Sequence, residues 1–471
     1  MENSRNKYLI KNTFIFTIGN LGSKLINFFL VPIYTYVLTT AQYGTVDLVS
    51  TVCTVTIPIF TLNICESVMR FALDKNADKE QIIRIGSTVL LIGSIIALLI
   101  VPFCGFFSQL DRYKFYIYFY SITLAASLLY LCDLRGKELL IQYACGNILY
   151  TFLVAVFNII FLVKCKGGIE GYLLAFILAN TITAIYALIC GKGYKLPFVF
   201  YFDKKLFLRM TKYSIVLIPN SFMWWIMNSS DRVMLSSMIG VAANGIFAVS
   251  YKLPTLVTTT TSIFNQAWSY SAIKENGARD EGEYNNQILF KMTGLVMFIG
   301  IGMMTFIKPF LSVYVSKEYY CAWKYTPFLI IGCVYLTLAT FIGTSYTVHK
   351  DSFGYLFSGL FGAVVNLGLN YVLIQKIGMY GAAFSTGASY ILVFIYRLIH
   401  TRKYIVYRIN NFPFIVGSVL LILSAFLIYW DTFAGFTIQL VLLVIYALSI
   451  WKIFSLWITF AFKKITNYLR K

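Results

Sequence analysis

The chain has 471 residues, 59% of them hydrophobic and only 12% charged, with a formal charge of +20 from 39 Lys and Arg against 19 Asp and Glu. At ~20 residues per crossing the apolar residues suffice for roughly fourteen membrane spans. So few charges exclude both a soluble globular enzyme and a disordered chain, and the expected class is an all-α polytopic membrane protein.

Breaks at charge and turn clusters predict helices over 12–34, 45–71, 85–108, 115–134, 139–163, 170–190, 213–239, 243–272, 288–312, 324–348, 354–375, 380–400, 412–430 and 434–460. Membrane strands would need short alternating segments, and these runs are long and apolar on every face. The positive flank MENSRNK leads into an apolar run with no small-residue cleavage site, so it reads as a retained first helix and not as a signal peptide. Counted on alternate sides of these spans, Lys and Arg divide 27 to 8. The side holding both termini carries the excess and is expected to be cytoplasmic. The positive charge therefore marks membrane flanks and not a nucleic-acid surface.

Chemistry-bearing motifs are scarce. The nine cysteines include no CxxC pair and read as small core hydrophobes. His349 and His400 stand without ligand-spaced neighbours, so no metal, haem or other cofactor is expected. The chain has no GxxxxGK[ST] phosphate loop and no DxD pair, and every loop is too short for a catalytic domain. A transporter without its own chemical motor is the expectation, leaving an ion gradient as the energy source to be coupled.

Internal repetition is the most informative feature. LTTAQYGTVDLVS at 38–50 aligns with IGVAANGIFAVSY at 239–251, setting Gly44 on Gly245 and Asn27 on Asn228. GIEGYLLAF at 168–176 aligns with GMYGAAFST at 378–386, setting Gly168 and Gly171 on Gly378 and Gly381. The two shifts, 201 and 210, define six-helix lobes over 1–195 and 196–405, with helices 13 and 14 and a tail over 406–471 as an appendix. An even number of helices per lobe makes the repeat parallel, its pseudo-twofold lying along the membrane normal.

Charges inside the spans need a wet cavity or a partner, because each costs ~2.5–3.5 kcal/mol at a helix centre. Lys24 lies near the middle of the first span and is the deepest cation. Glu66 and Arg70, four residues apart, share a helix face in the second span. Asp231 and Arg232 sit in the seventh, and Lys252 in the eighth, two residues before Pro254. All belong to repeat-related helices, as expected if those helices line a central cavity. Lys24, Arg70, Arg232 and Lys252 are the candidate substrate cations, and Glu66 and Asp231 the candidate counter-charges or ion carriers. Asn220, Trp224, Trp225, Asn228, Gln266 and Trp268 are candidate sugar contacts, since amides and aromatic faces hold sugars in a wet cleft. Each has a bland alternative. Arg70 would snorkel beside Glu66, Asp231 and Arg232 would form a structural pair, and the aromatics would be packing. Asp47 reads as close enough to the outer surface to be solvated.

The opening NTFIFTIGNLGSKLINFFLVPIYTYVLTTAQYGTVDLVST, the segment DRVMLSSMIGVAANGIFAVSYKL at 231–253 and the GxxG turns at 168 and 378 resemble the Wzx-type polysaccharide flippases, relatives of MATE antiporters and the MurJ lipid II flippase. The resemblance covers the whole chain. It implies a two-lobed fold working by alternating access, moving an undecaprenyl-diphosphate-linked oligosaccharide to the outer leaflet for surface polysaccharide synthesis. A polysaccharide polymerase is the implied downstream partner. An ion-coupled MATE-like drug exporter and a lipid II flippase are the alternatives within that resemblance. A membrane glycosyltransferase is the alternative outside it, but its catalytic acids would need a sizeable outer loop, and Asp111, Glu170, Glu318 and Asp431 are scattered singly.

Overall fold

The computed structural model describes residues 28–74, 77–100, 110–193, 203–409 and 411–451. These form sixteen α-helices: α1 (Phe28–Val37), α2 (Thr40–Phe60), α3 (Ile64–Ala72), α4 (Lys79–Ile100), α5 (Lys114–Gly136), α6 (Leu140–Asn158), α7 (Gly168–Cys190), α8 (Lys204–Met238), α9 (Val241–Ser250), α10 (Lys252–Lys274), α11 (Glu281–Tyr314), α12 (Thr326–Val348), α13 (Ser352–Ile377), α14 (Met379–His400), α15 (Phe412–Leu427) and α16 (Phe433–Ser449). No strand occurs among the described residues, and nine of the helices are long and apolar enough to cross a membrane. Their outer faces carry exposed large apolar side chains such as Leu99, Val313 and Phe353. Lipid is the solvent such faces match, and the chain is a multi-pass membrane protein.

Two expected spans resolve as pairs. The span at 45–71 breaks between α2 and α3, where Leu62 and Asn63 take left-handed backbone at φ 52 and 54. Asn tolerates that conformation, and Pro58 lies in the last turn of α2. The span at 243–272 breaks at Tyr251, ahead of α10 with Pro254 at its third residue. Elsewhere helix ends follow cap chemistry. Thr39 and Gln42 form a reciprocal capping box at the start of α2. Asp203, Asp351, Asn411 and Thr432 accept backbone N–H groups at the starts of α8, α13, α15 and α16.

By packing, the chain divides into a unit ending at Ala248 and a unit starting at Val249, a boundary inside α9. The first centres on α5, which touches α2, α3, α4, α6 and α7. Ile64, Val68, Ile82, Ile85, Leu129 and Leu134 fill its core. The long α8, placed at the head of the second lobe by the repeat, packs here against α2 and α3, where Ser67 Oγ donates to Met210 O at 2.6 Å. In the second unit α12 is the hub, 83% buried across its span and flanked by α10, α11, α13 and α14. α15 and α16 pack on α11.

The repeat glycines do equivalent work. Gly168 and Gly378, at φ 54 and 61, occupy the left-handed region that a glycine enters without a Cβ penalty, and each opens a helix. Three residues on, a Cβ at Gly171 would lie 3.0 Å from Phe161 O, and one at Gly381 2.3 Å from Leu373 O.

Candidate functional site

Two long helices are not apolar enough to qualify as spans: α8 and α10. Their sequences, with NSSDR at 228–232 and TTTTS at 258–262, explain why. Polar side chains at membrane depth face protein or water-filled space, since lipid satisfies none of their hydrogen bonds. These two helices carry most of the residues singled out above.

In the first unit, α8 meets the start of α2. Arg232 Nη1 donates to Asp47 Oδ1 at 2.8 Å, with both side chains largely buried. Asn244 of α9 donates through Nδ2 to Gly44 O at 2.9 Å and to Asp47 Oδ2 at 3.3 Å. Asp47 is thus held by two elements, and the solvation expected for it is incorrect: it is 8% exposed. Its partner lies 185 residues away, out of reach of any local pattern. Asp231 is buried and accepts the backbone N–H of Arg232 at 2.9 Å. Along α8, Trp225 Nε1 donates to Thr51 O of α2 at 3.1 Å, and Asn228 Nδ2 donates back to Trp224 O at 2.6 Å. Asn220, Trp224, Trp225 and Asn228 are all half-buried.

Other residues fall apart from this node. Arg70 and Glu66 are exposed on α3, and Arg70 pairs with Asp74 at 2.7 Å, four residues ahead, instead of with Glu66 four residues behind. Both spacings share a helix face, so sequence alone does not choose between them. Lys252 is half-buried at the first position of α10, in the second unit. Trp268 is buried in that unit, stacked on Phe341 with centroids 4.6 Å apart and tilted against Tyr284, which is the arrangement of a core aromatic. Lys24 and Asn27, and the side chain of Gln266, lie outside the described residues. Three of the singly scattered carboxylates are engaged in ion pairs: Asp111 with Lys114, Glu170 with Arg112 and Asp431 with Lys308.

Sequence reasoning passed over a second polar feature. Thr258, Thr261 and Ser262, from the Thr/Ser run 258–262 of α10, line a cavity of about 360 Å³ against α12. Five consecutive hydroxyl residues inside an expected span were the available signal.

The model of the family described as polysaccharide biosynthesis protein matches residues 9–270. No curated protein matches the sequence significantly. Among solved structures, the chain is similar to the lipid II flippase MurJ in its inward closed conformation, with TM-score 0.67 and 14% identity over 94% of this chain and 98% of that one. It is also similar to an inward-facing multidrug resistance MATE transporter of the MOP superfamily, with TM-score 0.63 and 14% identity over 82% and 97%. A third similarity is to the Vibrio cholerae MATE transporter VcmN, with TM-score 0.56 and 15% identity over 85% and 98%. At these identities the likeness is one of fold, that of MOP-superfamily transporters. With its family model matching more than half of the sequence, this chain belongs to the polysaccharide biosynthesis protein family.

Proposed function

We propose that the protein flips polyprenyl-diphosphate-linked oligosaccharide from the cytoplasmic to the outer leaflet of a bacterial inner membrane, with both termini cytoplasmic, and delivers it to a polysaccharide polymerase. The observation that carries this reading is the polarity of α8 and α10 within an otherwise apolar bundle of a polysaccharide biosynthesis family member. Such helices suit a substrate whose head group is polar and whose tail remains in the bilayer. Transport of this kind forms and breaks no covalent bond, so no catalytic residue is required.

Lys24, Arg70, Arg232 and Lys252 are the proposed diphosphate contacts. Arg232 already holds Asp47, so a diphosphate would take Arg232 by exchange for that carboxylate, one charge-assisted contact replacing another. Asp47, Asp231 and Glu66 are the carboxylates available for coupling to an ion gradient.

A leaflet-resolved assay of polyprenyl-diphosphate oligosaccharide in cells with and without the protein tests the reading. Depletion should accumulate the intermediate on the inner leaflet, and wild type but not Lys24→Ala should reverse this while inserting normally, since removing a cation from an expected span favours insertion. An unchanged leaflet distribution on depletion would overturn the function. Full rescue by Lys24→Ala would overturn only the role of Lys24.

A further inference from the structure

The end of α3 and the start of α8 share one exposed, charged face in the first unit. Ser67 of α3 bonds to Met210 O and to the Ser214 hydroxyl, and Met210, Thr211 and Ser214 form the buried side of α8 there. On its other side the helical repeat lines up Lys205, Arg209, Lys212 and Tyr213, all exposed. Arg209 reaches across to α3, its Cζ 5.8 Å from the centroid of the Phe71 ring, and Tyr213 meets the same ring edge-on at 5.9 Å. Arg70, next to Phe71 in the chain, lies close enough to Tyr213 to interact with it electrostatically. Its ion pair is with Asp74, and the two side chains are 55% and 52% exposed. Among the described residues no carboxylate pairs with Arg209 or Lys212. Two guanidiniums from two helices thus meet one Phe71–Tyr213 ring pair, with Glu66 and Asp74 as the exposed acids of α3.

Arg70 and Arg232 are both among the cations proposed to take the diphosphate, but one diphosphate does not reach both. Arg70 belongs to the Tyr213 end of α8, and Arg232 stands 19 residues beyond Tyr213 on the same helix, roughly 28 Å at ~1.5 Å per residue. In the orientation proposed above the start of α8 is cytoplasmic, so a head group in the inner leaflet meets Arg70 and Arg209 first. Guanidinium forks match phosphate oxygens bidentately. Arg209 has no carboxylate to give up, and the exposed pair that Arg70 would exchange is a weak one. Ile215 and Val216, exposed on the next turn of α8, continue the face with an apolar surface for a lipid chain. The usual excess of cations at cytoplasmic helix ends does not by itself bring two guanidiniums from different helices to one ring pair. We propose that Arg70 and Arg209, backed by Lys212 and Tyr213, form a loading station for the diphosphate of the lipid-linked substrate, separate from the Arg232–Asp47 contact further along α8. The proposal rests on the flippase reading above and orders its cations into an early and a late contact.

Lipid binding to the full-length protein in phosphatidylcholine nanodiscs tests it, with undecaprenyl diphosphate, undecaprenyl monophosphate and phosphatidylglycerol as probes. Wild type should bind the diphosphate more tightly than either single-phosphate lipid, because only the diphosphate offers a phosphate to each guanidinium. Arg70→Gln and Arg209→Gln should each weaken diphosphate binding about fivefold, the size of one exposed charge contact. Arg209→Lys keeps the charge but loses the fork, and its affinity should fall between wild type and Arg209→Gln. Asp74→Asn removes the carboxylate that competes for Arg70 and should tighten binding about twofold, a gain that serves as the readout if a glutamine variant does not fold. Lys192→Gln, which removes an exposed cation elsewhere in the same unit, should change nothing. An equal loss at Lys192→Gln would reduce the effect to net charge and overturn the station. Arginine variants that bind like wild type, or an Asp74→Asn variant that does not tighten, would overturn it as well. Single-phosphate lipids bound as tightly as the diphosphate would overturn it in favour of a patch for anionic phospholipid. If undecaprenyl diphosphate does not bind wild type at all, the flippase reading falls first, and the two failures are thereby told apart.

Discussion

Gly44 and Gly245, matched by the internal repeat, face each other where α2 crosses α9. A Cβ on Gly44 would lie 1.7 Å from Val241 O and 2.8 Å from Gly245 N, and a Cβ on Gly245 would lie 2.1 Å from Thr40 O and 3.0 Å from Gly44 N. The helices therefore meet backbone to backbone, and Asn244 closes the contact with its bond to Gly44 O. Small residues at helix crossings serve this purpose in membranes, where close packing substitutes for a hydrophobic driving force.

Gly44→Ala and Gly245→Ala should each destabilise the protein by about 3 kcal/mol or more, because the clash is with backbone that no rotamer change relieves. Thermal unfolding in detergent measures this. Gly359→Ala, at a helical position with open space around the added methyl, should leave the transition unchanged or raise it slightly. Equal effects at Gly359 and Gly44 would refute the crossing.

Breaking the Arg232–Asp47 pair from one side leaves a largely buried charge without its carboxylate or guanidinium. Asp47→Asn and Arg232→Gln should each cost about 3 kcal/mol, whereas the double variant should cost less than the two combined. A double-mutant cycle on thermal unfolding reads the coupling, and additivity within error would mean that the pair contributes nothing specific.

Asp351 caps α13 by accepting the Gly354 N–H at 2.8 Å, and it also accepts from Lys403 Nζ and the Tyr404 hydroxyl. The Gly354 N–H first, and then the Lys403 bond, hold its carboxyl down to about 2. A depressed folded value means that the carboxylate stabilises the fold above its unfolded pKa of ~3.9 and loses that contribution as pH falls toward 2. Asp351→Asn should cost about 1 kcal/mol near neutral pH, a figure kept small by solvent screening at this loop. Melting curves of wild type and variant should converge between about pH 4 and pH 2. A constant gap across that window would sink the assignment.

Arg397 is the largest fully buried side chain among the described residues, donating to Ser358 Oγ and Ala339 O, each at 3.0 Å, and lying over the Tyr355 ring. Gly343 makes room for it, since a Cβ there would fall 2.6 Å from Arg397 Nη1. Gly343→Ala should therefore destabilise by about 1–3 kcal/mol. Combined with Arg397→Met, which vacates the space, the glycine change should cost less than it does alone. Unfolding of the two single variants and the double variant provides the comparison.

How much of this was legible in the sequence depends on the range of the interaction. Long apolar runs and the near absence of internal charge made an all-α membrane protein the only reading, because lipid leaves each backbone group no partner outside its own helix. The repeat glycines were legible for a similar reason: positive φ and backbone contact at 168, 378, 44 and 245 are demands that a single residue type meets. The breaks after Phe60 and at Tyr251 were not, since Leu62 and Asn63 carry no glycine and Pro254 marks its break only indirectly. The partner of Asp47 was decided by tertiary structure alone, as was the core position of Trp268. A charge or ring at a given helical position has several neighbours within reach, and the packing of helices distant in sequence selects among them. The cavity between α10 and α12 is the same case. Its threonines are plain in the sequence, but the direction of their protons and the face of α12 opposite them exist only once the helices are assembled.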